Sequence, residues 1–196
     1  STATAVTPAL RDGNNYVVYA KPEDKAGNFE NDEQFMPSYS VIYDTSTPEA
    51  YFSVPSHLSV LKSLPALTGT AQDPAGAYAP GLKADLARVE VQIFDESAVE
   101  WWHHGAGAFS AVSSSFNIVA GTDSWSYSHG SLQSGLVTGR YYVVQTRAVD
   151  RAGNVQAGFE DAVSSSTFIW DITPPQTFMV QPVNGGNYKP SVLAGI

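Results

Sequence analysis

The sequence predicts an all-β chain, and three observations carry that expectation. Apolar and polar residues alternate with period two in several short runs, while no stretch sustains a helical period. Clusters of Gly, Pro, Asn and Asp separate those runs at the spacing of an antiparallel sheet protein. Finally, one strand-and-turn pattern occurs twice. Its clearer copy is LVTGRYYVVQTRAVDRAGN, Leu136 to Asn154. A turn with Gly139 leads into a strand that places Tyr142, Val144, Thr146 and Ala148 on one side. Val143, Gln145 and Arg147 fall on the other, and the strand ends on Asp150 and the turn residues Ala152, Gly153 and Asn154.

The second copy lies upstream. Leu10, Gly13, Tyr16, Val17, Val18, Asp24, Ala26, Gly27 and Asn28 match Leu136, Gly139, Tyr142, Val143, Val144, Asp150, Ala152, Gly153 and Asn154 at a constant spacing of 126 residues. Asp44 and Pro48 answer Asp171 and Pro175, Pro55 answers Pro182, and Leu67 with Gly69 answers Leu193 with Gly195. Self-similarity at a fixed period signals a repeat architecture. It divides the chain into the end of one module (1–47), a complete module (48–173) and the beginning of a third (174–196).

Tyr142 stands where a tyrosine corner stands in an immunoglobulin-like sandwich, with its ring inward and its hydroxyl tied to nearby backbone. The Leu, Gly, Tyr, Asp-x-Ala-Gly-Asn pattern resembles the signature of bacterial Ig-like (immunoglobulin/fibronectin-III-like) repeats in large cell-surface or secreted adhesin-type proteins. The resemblance implies antiparallel β-sandwich modules in tandem, here one complete and two partial. It also implies an extracellular, bacterial cell-surface location, with a structural or adhesive role as spacer, stalk or filament. It names a scaffold and no chemistry.

In chain order, Asn15 to Ala20 and Tyr39 to Tyr43 read as strands around the loop Asp24 to Asn28. Asp44 to Pro48 reads as a stiff linker, because proline fixes its own φ and pushes the preceding residue to extended geometry. Tyr51 to Val54 is a strand ended by Pro55. Leu64 to Ala71 follows, with Leu67, Gly69 and Ala71 inward. Asp73 to Lys83 is a Gly-, Pro- and Ala-rich loop, and Ala84 to Leu86 is expected to make one helical turn. Leu86 to Asp95 is the cleanest strand, with Val89, Val91 and Ile93 inward and Arg88, Glu90 and Gln92 outward. Glu100 to Phe109 turns into an edge strand. Phe116 to Val119, Ser124 to Ser128 and Ser165 to Asp171 complete a module of seven or eight strands, and Asp171 to Pro175 repeats the linker.

Composition narrows the function. With 43% hydrophobic residues in 196, the chain can bury a core. Its net charge of −9 repels phosphate backbones and argues against nucleic-acid partners. The expected partners are neighbouring modules or copies of the chain itself, with glycans as a further class. The absence of cysteine excludes disulfides and thiolate metal sites. No apolar run approaches the ~20 residues of a membrane span.

Three constellations bear on chemistry. Trp101 and Trp102 could stack on sugar rings, which makes a carbohydrate-binding module of a secreted protein the alternative function; the competing reading is core packing, since aromatic residues are ordinary core material. His103 and His104 are adjacent on a strand and point to opposite faces. With His57 and His129 they lack metal-ligand spacing. No nucleophile elbow or phosphate loop is present, and no enzyme activity is expected. Asp44, Asp73 and Asp150 fall at one pole of an Ig-like module. Together with backbone carbonyls they could hold Ca²⁺, the one cofactor the sequence raises, since that ion takes six to eight oxygens. The competing reading is that Asp150 only caps its own turn.

Overall fold

A computed structural model of the chain describes residues 9–28, 38–74, 85–180, 182 and 184–189. Asn14–Tyr19 (β1) and Ser38–Tyr43 (β2) form an antiparallel two-stranded sheet. Ten strands follow. They are Glu49–Val54 (β3), Ser59–Leu61 (β4), Leu67–Gln72 (β5), Leu86–Asp95 (β6) and Glu100–His103 (β7), then Ala108–Ala111 (β8), Asn117–Ile118 (β9), Ser124–Tyr127 (β10), Arg140–Asp150 (β11) and Ser165–Trp170 (β12). One four-residue helix, Leu132–Gly135 (α1), precedes β11. A small sheet runs β10-β5-β3. A larger one runs β4-β12-β11-β6-β7-β8, with β9 also against β6. Every pairing is antiparallel except β4 on β12. The all-β expectation is met.

The two larger sheets share one core. Leu67, Ala71, Trp125 and Tyr127 come from the small sheet. Val89, Val91, Ile93, Trp102, Tyr142, Val144, Phe168 and Trp170 come from the large one. Fully burying side chains of this size is worth roughly 1.5–3 kcal/mol each. Trp125 sets a local requirement. It pairs with Gly69 across β10 and β5 and donates its indole N–H to the Thr70 carbonyl at 3.1 Å. A Cβ at position 69 would stand 1.9 Å from the Tyr51 carbonyl and 2.4 Å from the Trp125 ring. Only glycine fits there.

Alternation assigns faces correctly along β6, but exposure differs. Glu90 and Gln92 point away from the core and are nevertheless buried. Arg88 and Arg147 each place Nε 2.7 Å from the Glu90 carboxylate. Gln92 donates to the Gln145 carbonyl and accepts from the Ser114 hydroxyl at 2.5 Å. The Arg147 guanidinium lies 3.7 Å from the Phe116 ring centre, and Phe116 stacks on Phe159. These loops cover the outer face of the central strands, which a period-two pattern does not reveal.

Tyr142 is fully buried and accepts the Val137 N–H at 2.8 Å. Gly139, at φ +80°, donates to the Trp170 carbonyl at 2.7 Å. The β1–β2 hairpin makes the corresponding bonds 126–127 residues earlier. Tyr16 accepts the Arg11 N–H at 2.7 Å, and Gly13, at φ +74°, donates to Tyr43 at 2.8 Å. Registers agree as well, Tyr16 facing Val41 as Tyr142 faces Phe168. Tyr16 itself is half-buried rather than buried, and among the described residues no third strand joins its sheet.

Several boundaries differ from expectation. The strand expected from Leu64 begins at Leu67; Leu64 sits in the turn before it, its N–H donating to the Gln133 side-chain carbonyl at 2.9 Å. Glu100 to Phe109 folds as the β7–β8 hairpin instead of one edge strand. Neither β4 nor α1 was legible, since three- and four-residue elements are too short to show a period. Leu86 opens a strand rather than a helical turn, and Ala84, with residues 75–83 of the expected loop, lies outside the described residues.

Two predictions follow from these bonds. Tyr142→Phe leaves the Val137 amide without its acceptor in a packed site and should destabilise by about 1–2 kcal/mol, read as a lower denaturant midpoint at unchanged m-value. The second concerns acid. Burial pushes the Glu90 carboxyl up, but Arg88 and Arg147 outweigh it and hold it below the usual range. Burial likewise pushes Asp95 up, and the Ala98 amide, the Arg140 guanidinium and the Ser97 amide bring it below. Depressed folded values contribute stability that is present above the unfolded carboxylate pKa, about 4, and lost as pH falls through the folded values. The midpoint should therefore drop below about pH 4, and Arg140→Gln should make that drop shallower. An equal drop in the variant would contradict the assignment to Asp95.

Candidate functional site

Asp44, Asp73 and Asp150 reach one point from three directions. Asp44 follows β2 at the start of the linker, Asp73 follows β5, and Asp150 closes β11. They are 7%, 4% and 2% exposed, and one carboxylate oxygen from each lies within 4.8 Å of the other two. Among the described residues this is the sole group of three or more His, Cys, Asp or Glu able to meet on one ion.

Local bonds position each arm. Asp150 caps the loop after β11: Oδ1 accepts the Gly153 N–H at 2.7 Å and the Asn154 N–H at 2.8 Å, and Oδ2 accepts the Asn154 side-chain amide at 2.8 Å. Gly153 takes φ +96°, which the turn requires of it. The same Asn154 amide donates to the Asp44 backbone carbonyl at 3.1 Å, so one side chain links loop and linker. Asp44 Oδ1 accepts the Ser46 N–H at 2.9 Å in an Asx turn. Asp12, next to the first glycine turn, holds the linker from the other side. It accepts from the Thr45 N–H at 2.7 Å and the Ser46 hydroxyl at 2.8 Å. The capping role expected of Asp150 and the clustering of the three carboxylates therefore coexist.

The upstream loop repeats the cap. Asp24 accepts from the Ala26 and Asn28 amides at 2.8 and 2.9 Å and from the Asn28 side chain at 2.9 Å. The Asn28 hydrogen bonds hold its carboxyl below the usual range. That loop is exposed and has no acidic cluster around it among the described residues.

Chemically, the trio is a set of hard oxygen donors with no imidazole or sulfur among them. Oxygens on opposite sides of one Ca²⁺ stand about 5 Å apart at its usual bond lengths, so the observed separation suits a shared cation. Three buried like charges also repel, which a divalent ion would offset.

The tryptophan pair is divided by its strand. Trp102 is fully buried, donating its indole N–H to the Tyr127 hydroxyl at 2.7 Å and meeting the Phe109 and His129 rings edge-on. It has no face to offer a sugar, which corrects the two-tryptophan platform. Trp101 lies on the outer face, half-buried, with its ring 4.6 Å from Phe94. The histidines are closer than their spacing suggested: His104 Nδ1 is 3.0 Å from the Tyr127 hydroxyl, and the His104 and His129 rings are 4.9 Å apart. Nothing in the sequence signals this contact or the roles of Asp12 and Ser46. Only Asn154 carried a signal, through its place in the repeated pattern.

Asp150→Ala removes three hydrogen bonds to a carboxylate and should destabilise by about 2–4 kcal/mol in metal-free buffer. Chemical denaturation of the variant checks this; an unchanged midpoint would count against the capping role. No protein-family model matches this chain, and no curated protein matches it.

Proposed function

We propose that the chain is a stretch of tandem Ig-like β-sandwich modules from an extracellular bacterial structural protein, acting as spacer or stalk and catalysing nothing. One observation carries the reading. The tyrosine bond, the left-handed glycine turn and the Asp–Asn loop all recur at a spacing of 126–127 residues. A scaffold multiplied along a chain conserves its framework bonds in this way, because each copy must solve the same packing problem. The short Pro-bounded linker, clamped by Asp12 on one side and Asn154 on the other, suits a joint of restricted motion. No helix among the described residues is long and apolar enough to cross a membrane.

A polyprotein built from this chain should extend under force in discrete steps. Each step should lengthen it by on the order of 40 nm, the span of one 126-residue module at about 3.5 Å per residue. Smooth extension without steps would sink the stalk role.

The acidic trio adds a second element to the same reading: Ca²⁺ held by Asp44, Asp73 and Asp150 locks the linker to the module that follows it. An ion that binds only the folded state stabilises it by about 2.7 kcal/mol at a hundred times its Kd. Calorimetry should therefore give a higher melting temperature in Ca²⁺ than in chelator, and Asp73→Asn should remove the difference. Identical melting curves for the unmodified chain would end the calcium reading and leave the spacer reading standing.

A further inference from the structure

Among the described residues β3 pairs with β5 on one edge and with no strand on the other. A side chain and a loop close that second edge. Ala50 N–H donates to the Gln156 side-chain carbonyl and Phe52 N–H to the Val163 carbonyl, both at 2.8 Å. The Gln156 carbonyl also accepts the Ala148 N–H at 3.3 Å. With these two amides occupied, the edge is a poor template for strand addition. A cleft of about 470 Å³ remains between it and residues 156–164, within the size range of small-molecule sites.

The lining of this cleft combines Pro48, Tyr51 and Phe159 with Glu49 and Glu160, and it contains no basic residue. Neither glutamate has a cation of its own. The ion pairs among the described residues join Arg88 and Arg147 to Glu90, and Arg140 to Asp95. Glu49 accepts the Tyr51 hydroxyl and, at 3.5 Å, the Gln72 side-chain amide, both on Oε2. Glu160 is fixed by its backbone. Its carbonyl accepts the Val163, Ser164 and Ser165 N–H groups at 3.1, 3.0 and 2.9 Å, and its N–H donates to the Ser164 hydroxyl at 2.9 Å. Its carboxylate accepts no hydrogen bond from the described residues. Phe159 stacks on Phe116, a ring that already carries the Arg147 guanidinium 3.7 Å from its centre. Aromatic rings beside uncompensated carboxylates attract an organic cation through ring quadrupole and charge together.

We infer that this cleft binds an alkylammonium group. The Glu49 and Glu160 carboxylates accept from the ammonium, while Tyr51, Phe159 and Pro48 meet the carbon stem. Three features select that class. Two negative charges with no basic neighbour refuse an anion. The apolar lining suits a hydrocarbon stem rather than a hydrated metal ion, and neither glutamate belongs to a set of three metal-ligating groups among the described residues. A neutral sugar would leave both charges uncompensated. Thr47 and Pro48 belong to the linker, and Phe159 and Glu160 to the loop before β12, so a bound cation joins the two. The inference does not depend on the module reading, because the cleft is complete within residues 47–164.

Amide chemical shifts of the full chain in metal-free buffer test it, with n-butylammonium, Nα-acetyl-lysine amide and n-butanol as probes. Both ammonium probes should move the amides of residues 49–51 and 156–164, and added salt should weaken their binding. n-Butanol matches the stem without the charge and should move these amides far less. Glu160→Gln should keep its melting temperature and bind both ammonium probes about two- to fivefold more weakly. Tighter binding of Nα-acetyl-lysine amide than of n-butylammonium supports a protein side chain as the source of the ammonium; equal or weaker binding supports a free amine. An equal response to n-butanol, unchanged affinity in Glu160→Gln, or no movement with any probe overturns the inference. So does glucose binding at these amides more tightly than the ammonium probes.

Discussion

The structure depends most on how Tyr142 is held. Its ring lies between Phe109 and Phe168, 5.4 Å from each centre, at the middle of the core. Its hydroxyl ties down the backbone at Val137, where the chain arrives from α1 on its way into β11. A single side chain therefore joins the sandwich interior to the crossover that feeds its longest strand. β11 pairs with β12 on one side and β6 on the other, so its position fixes the centre of the large sheet. Gly139 completes the arrangement: the left-handed turn lets the chain bond Trp170 and enter the sheet in register.

From that centre the two ends of β11 acquire different work. At its start, Arg140 reaches Asp95 at 2.9 Å, and Asp95 in turn caps the turn after β6 through Ser97 and Ala98. At its end, Asp150 closes its own loop and joins Asp44 and Asp73 beside the linker. Capping and clustering do not compete, because a carboxylate has lone pairs enough to accept from loop amides and still face a cation. The linker between the β1–β2 hairpin and β3 is thereby fastened to a strand from the far end of the sequence.

The hairpin shows what the framework bonds accomplish alone. Its tyrosine bond, glycine turn and Asp–Asn loop form as fully as in the larger sheets, yet its apolar face stays open. Local bonds shape a hairpin; burial requires other strands to face it.

Much of this was legible in the residues themselves. Period-two runs specify the strands and their faces, with Val89, Val91 and Ile93 inward, and the repeated pattern specifies the tyrosine bond and the Asp–Asn loop. These are local features, set by alternation and turn chemistry within a few residues. What lay beyond reach depends on parts distant in sequence. Glu90 and Gln92 are buried because loops fold over them, Trp102 is interior because Tyr127 and Phe109 meet it, and β4 exists because β12 offers an edge. The acidic trio stands between the two cases. Each aspartate was identifiable from its turn, but only the tertiary structure could bring Asp44, Asp73 and Asp150 within 4.8 Å, since their separation depends on three strand ends that are neighbours in space and far apart along the chain.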